Sequence, residues 1–145
     1  MKSNDPYKEM QIRSAKPTEL VLLLYDGSIN FLKQAKQHMH TGNIEERVKL
    51  INRAIEIVSE LLASLNLTEG GAYAYKLSQL YTYMINRLFV ANVTQSMEAL
   101  DEVIKLLVTL RDGWRIVVTG AQPNMSSPPP VQPQGEVVMP LTLSA

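Results

Sequence analysis

Apolar positions recur with a helical period in four stretches of this chain, and in every one the apolar arc is wider than a single neighbour can cover. The first stretch, "LVLLLYDGSINFLKQA", opens with six apolar or aromatic residues, Leu20 to Tyr25. A helical turn holds about 3.6 residues, so this run places apolar groups all round the axis, whereas a surface helix ordinarily carries a stripe somewhat over 100° wide. Something beyond one packing partner must cover the remainder.

The breaks between stretches carry turn and cap chemistry. Pro17 opens the first helix, because its fixed φ suits the first helical position, and Glu19 complements the positive end of the helix dipole. That helix runs to about His40. In "HTGNIEE", Gly42 suits a left-handed cap, and Asn43 followed by Glu46 reads as an N-cap with a reciprocal partner, starting a second helix over residues 44 to 66. "NLTEGG" supplies the next turn and predicts a third helix over 71 to 92, and "NVTQS" offers caps before a fourth over 95 to 117.

At 100° per residue the arcs can be measured. On the second helix Leu50, Ile51, Ala54, Ile55, Ile57, Val58, Leu61, Leu62 and Leu65 fill about 180°, with Lys49, Asn52, Arg53, Glu56 and Glu60 opposite. Tyr25, Ile29 and Leu22 widen the first helix towards 200° in the same way, and Leu100, Val103, Ile104, Leu106, Leu107, Val108, Leu110 and Trp114 do so on the fourth. The third has a seam of Leu77, Leu80, Tyr81, Met84 and Leu88 flanked by Tyr73, Tyr75, Ile85 and Phe89. Short connections between long helices predict an all-α fold, an antiparallel up-down four-helix bundle. Its surplus apolar surface predicts either a thick, irregular or dimeric bundle or grooves that receive amphipathic helices of another protein.

The ends differ from this middle. Residues 1 to 16 are polar apart from Tyr7, Met10 and Ile12, which predicts a flexible N-terminal arm. Residues 119 to 145 hold six prolines and one charge, Glu136, which predicts a disordered Pro-rich tail with polyproline character at Pro128 to Pro130. The apolar "VVMPLTL" within that tail is a candidate for folding back onto a groove. The bundle domain is therefore expected over 17 to 118.

Composition narrows the chemistry. The 145 residues, 46% hydrophobic and 19% charged, fit one domain with a full core. A formal charge of zero with scattered Lys and Arg gives no nucleic-acid or membrane footprint, and no long apolar run predicts membrane insertion. The chain has no Cys, which removes disulfides and thiolate chemistry and fits a cytoplasmic protein. His38 and His40 lie two apart and point about 200° away from each other on a helix, so they make no i, i+4 metal pair, and both fall near a helix end rather than mid-helix where a phosphotransfer bundle needs its histidine. Asp26 and Gly27 interrupt an apolar run, read as one solvated side chain and one close packing contact. No catalytic residue, metal site or cofactor is predicted.

Tyr73, Tyr75 and Tyr83 spread to different faces of the third helix, where amphipathic rings suit an interface that stays soluble when empty. The successive blocks "LVLLLYDGSINFLKQA", the "GN" before the second helix, "NRAIEIVSELLASLN", "GG", "LSQLYTYMINRLFVAN" and "LRDGW" form a pattern over residues 7 to 114 that resembles the flagellar secretion chaperone family, the FliS-type flagellin chaperones. The resemblance implies a bundle that binds the C-terminal helical segment of flagellin in the cytoplasm, prevents early polymerisation and hands the client to the flagellar type III export gate. It also implies that the N-terminal arm, here with Tyr7, Met10 and Ile12, caps the hydrophobic groove until a client displaces it. One departure is Lys16, where the family commonly has a Ser before the proline; loss of that cap typically costs about 1 kcal/mol, unless Ser14 serves a shifted start.

On this reading the candidate groove residues are Tyr25, Ile29, Leu50, Ile57, Leu61, Tyr73, Leu77, Tyr81, Met84, Leu88, Ile104 and Leu107. The alternative is a helical adaptor that uses the same surface for a homodimer.

Overall fold

The computed structural model describes residues 16 to 120, which form four helices: α1 (Pro17–Thr41), α2 (Ile44–Ala63), α3 (Leu67–Thr94) and α4 (Met97–Thr119). The arm with Tyr7, Met10 and Ile12, Ser14 and the Pro-rich stretch lie outside the described residues. Among the described residues no helix is long and apolar enough to cross a membrane. Residues up to Trp114 form one unit, and a second begins at Arg115 within α4.

The caps explain the boundaries. Pro17 begins α1, and Lys16 donates its backbone N–H to Glu19 Oε1 at 3.2 Å. A lysine side chain has no acceptor, so only Glu19's half of the reciprocal cap exists. Gly42 is left-handed at φ 79°, and the next residue, Asn43, donates its N–H back to the His38 carbonyl at 2.9 Å, which closes the end of α1. The Asn43 side chain accepts the Glu46 N–H at 3.3 Å to start α2, while the Glu46 carboxylate turns to Lys49 Nζ at 3.5 Å instead of returning to the cap.

The "NLTEGG" break places the start of α3 at residue 71, but Asn66 caps it earlier by accepting the Glu69 N–H at 3.0 Å. One turn forms, then breaks at Gly71 (φ 58°, ψ −138°), and the main helix runs on from there. Only glycine enters that backbone region without strain. At Gly70 the constraint is space, since a Cβ there would meet the Ala74 Cβ at 2.5 Å.

Side-chain bonds set the topology. Between α1 and α4, Trp114 Nε1 donates to the Thr18 carbonyl at 2.7 Å, Arg111 Nη1 reaches Asp26 Oδ1 at 3.4 Å and Lys36 Nζ reaches Asp101 Oδ1 at 2.6 Å. Rising numbers on α1 meet falling numbers on α4, so the two are antiparallel. Between α2 and α3, Arg47 Nη2 donates to the Asn92 carbonyl at 3.1 Å. Between α1 and α2, Gly27 leaves room for Ile57, whose Cδ1 would stand 3.5 Å from an added Cβ, and the Arg53 guanidinium lies 5.7 Å from the centre of the Phe31 ring. Asp26 is thus tied to Arg111 as well as partly solvated, while a side-chain Cβ at Gly27 would fit at ordinary contact distance, so the packing there does not require glycine.

The core runs between all four helices, with Leu32, Ile51, Val58, Met84, Leu88, Leu100, Val103 and Leu107 fully buried. Much of the surplus width on α1, α2 and α4 packs against it as half-buried margin: Val21, Leu24, Phe31, Ile55, Leu62, Leu106, Val108 and Leu110. Across the centre, Tyr25 of α1 and Tyr81 of α3 share a hydrogen bond at 2.5 Å between their hydroxyls, each only 2–3% exposed. Burial pushes both phenols above their ordinary range.

Two tests follow from these contacts. Tyr81→Phe leaves the Tyr25 hydroxyl buried without a partner and is expected to destabilise the fold by about 1–3 kcal/mol, whereas Tyr25→Phe with Tyr81→Phe loses much less than the sum of the single changes. Urea unfolding of the two single variants and the double variant measures this. Gly71→Ala forces a Cβ into a left-handed backbone and is expected to lower stability by about 1–2 kcal/mol with little change in helix content, read by thermal circular dichroism.

Candidate functional site

With Tyr81, Met84 and Leu88 turned inward, the opposite side of α3 faces out. Tyr75, Thr82 and Phe89 recur every seventh residue there, with Asn86 and Val93 beside them. At 100° per residue these five positions span about 60° of the helix. Tyr75 is 58%, Phe89 52% and Val93 80% exposed. None of the five is charged, and the same is true of Ser78, Gln79 and Val90 nearby. Most of the large apolar side chains left exposed among the described residues belong to α3.

Polar bonds hold the flanks of this face. On one side Arg87 Nε donates to Glu102 Oε1 of α4 at 2.8 Å, and the Tyr83 hydroxyl donates to Glu102 Oε2. That bond pushes the Tyr83 phenol up, and with Arg87 it holds the Glu102 carboxyl below its ordinary range. On the other side Asn92 Nδ2 approaches Asn52 Oδ1 of α2 at 3.5 Å, and the buried Arg47 side chain grips the Asn92 carbonyl. The face is fixed at both edges and open between them.

The twelve residues nominated from the sequence are distributed unevenly. Tyr25, Ile29, Leu50, Leu61, Tyr81, Met84, Leu88 and Leu107 are buried in the core, Ile57, Leu77 and Ile104 are half-buried at its margin, and Tyr73 is exposed. Tyr73 sits directly after the Gly71 break, one turn from Leu77. The nominated set leaves out Tyr75, Phe89, Val90 and Val93 of the outward face. The signal for them was present: Tyr75, Phe89 and Val93 share a narrow arc of the third helix that carries no charge. Of the two histidines, His38 is half-buried near the end of α1, and His40 lines a shallow depression of roughly 500 Å³ with Lys33, Lys36, Gln37 and Met97.

A four-helix bundle that presents a rigid, uncharged, partly aromatic helix face belongs with the protein-binding bundles. Comparison with known proteins gives the family. The model for flagellar protein FliS matches residues 1–121. Flagellar secretion chaperone FliSB of Pseudomonas aeruginosa is 40% identical over 106 residues, covering 73% of this chain and 84% of that protein. Flagellar secretion chaperone FliS of Salmonella typhimurium is 34% identical over 108 residues, 74% and 80% of the two chains, and that of Campylobacter jejuni is 34% identical over 111 residues, 77% and 87%. The chain belongs to the flagellar protein FliS family.

The Glu102 cluster makes a pH prediction. A carboxyl whose folded pKa is depressed contributes stability above its unfolded pKa, and that contribution is lost as pH falls through the folded value. Carboxyl NMR is expected to show Glu102 titrating below an ordinary glutamate, and Tyr83→Phe should move it back up. An unmoved titration in that variant contradicts the assigned bond.

Proposed function

We propose that this chain is a cytoplasmic, non-enzymatic export chaperone that binds the C-terminal helical segment of flagellin, keeps it from polymerising and delivers it to the flagellar export gate. Membership of the family and the names of its relatives, flagellar secretion chaperones, support this reading. The observation that carries it is the outward face of α3. An amphipathic client helix laid there buries apolar side chains against Tyr75, Phe89 and Val93 without stranding any charge, which is the helix-in-groove mode of recognition.

The margin residues Ile57, Leu77 and Ile104, with exposed Tyr73, are the other client contacts we propose among those nominated from the sequence. The eight core residues act indirectly, by setting which way each helix is rotated. The arm residues Tyr7, Met10 and Ile12 act as a tethered competitor for the client's place, at an effective concentration high enough to shield apolar surface that a longer client helix then claims. No step in this mechanism makes or breaks a covalent bond.

Phe89→Glu is expected to weaken client binding by roughly tenfold or more, since truncating or charging a central aromatic anchor typically costs over about 1.4 kcal/mol. Its thermal unfolding should stay within about 0.5 kcal/mol of the parent, because the side chain is outside the core. The assay is calorimetric titration with the C-terminal helical segment of flagellin from the same organism. Parent binding should show a negative heat-capacity change. No binding by the parent chain, with a stable homodimer in sedimentation, overturns the reading.

A further inference from the structure

At the end of the bundle where α2 begins and α3 ends, one cation is left underused. Arg47 is 5% exposed. Its Nη2 donates to the Asn92 carbonyl at 3.1 Å, but its Nε is buried with no acceptor, and Asn92 Oδ1 is buried with no donor. No carboxylate pairs with the guanidinium among the described residues. A buried charge held by one neutral carbonyl is costly unless further partners complete it.

The chain's own acids are misplaced for that task. Glu45 and Glu46 precede Arg47 by two and one positions, and neighbours that close on a helix point away from each other. Glu46 is in any case paired with Lys49. Any carboxylate that completes the site must come from outside, and the positive end of α2 favours one there. Exposed apolar groups lie close by in sequence on both helices: Ile44, 57% exposed, is one turn before Arg47, and exposed Phe89 and Val93 flank Asn92 in α3.

We propose that Arg47 receives the terminal α-carboxylate of the bound client helix, while Ile44, Phe89 and Val93 take the client's last apolar side chains. This rests on the reading of the chain as a chaperone for a client's C-terminal segment, and it fixes which end of the client lies at which end of α3. A free carboxylate offers the guanidinium the anionic acceptor its fork lacks, and receiving it turns the side chain so that Nε, buried in the unliganded chain, faces the client. An internal peptide segment, with no terminal charge, leaves Arg47 as it is.

The test changes the ligand, so it does not depend on any variant folding. The flagellin C-terminal segment is synthesised twice, ending in a free carboxylate and in a carboxamide, and each is titrated into the full-length chain. The acid is expected to bind roughly tenfold or more tightly than the amide, as for a charge-assisted hydrogen bond. Equal affinity overturns the anchor while leaving the chaperone reading intact, and absence of binding by both overturns both. In Arg47→Gln the preference for the acid should vanish; if the preference persists in a variant whose circular dichroism matches the parent, another group holds the carboxylate and the assignment to Arg47 fails.

Discussion

The buried hydroxyl pair of Tyr25 and Tyr81 is the constraint from which the rest of the surface follows. A phenol taken out of water is tolerated only with a partner, so each ring requires the other in place. Satisfying both fixes the rotation of α1 and α3 about their axes. Once Tyr81 points inward with Met84 and Leu88, helical geometry sends Tyr75, Phe89 and Val93 towards the opposite side, and rotating α3 to hide them would break the pair. A core of aliphatic residues alone, being more forgiving of small rotations, would not specify that face so sharply.

The perimeter bonds work with this pair rather than repeat it. Arg87 and Tyr83 converge on Glu102, Arg111 on Asp26, and Trp114 on the Thr18 carbonyl, each joining neighbouring helices near the bundle surface. Exposed ion pairs add little stability, usually about 0–1 kcal/mol each. Their contribution here is positional: they hold α4 against α1 and α3 and leave the outward face of α3 bordered by anchored side chains. A binding face already rigid loses less conformational freedom when a partner settles on it, and that retained freedom appears as affinity.

Most of the fold was legible in the sequence because its signals are local. Pro17, Gly42 and Asn43 determine helix ends through their own dihedrals and side-chain oxygens, and the structure uses each so, although Glu46 turns to Lys49 and does not complete the reciprocal cap at Asn43. Two local signals compete in "NLTEGG": its paired glycines favour one turn, yet Asn66 caps a first turn of α3 before Gly71 breaks it. The surface was less legible for a geometric reason. A helical wheel gives the angle between residues on one helix but not the rotation of that helix in the bundle, so wide arcs could not separate Leu88, fully buried, from Phe89, half exposed. Arg47 was still harder to foresee, since a lone arginine beside two glutamates reads as a solvated face until the neighbouring helix end closes over it.

That last residue bears on a problem any uncharged docking stripe has. An uncharged stripe of spaced apolar groups accepts an amphipathic helix in either direction and in neighbouring registers, with little to choose between them, because hydrophobic burial is non-directional. Specific alignment needs at least one interaction that is lost when the partner slides or reverses. Charge at a single fixed point does this, since a client shifted by one heptad along α3 moves its carboxylate about 10 Å from the guanidinium, beyond hydrogen-bonding reach. On the proposed docking, the α3 stripe supplies attraction over its length, and Arg47 at its end supplies the direction and register that the stripe by itself cannot encode.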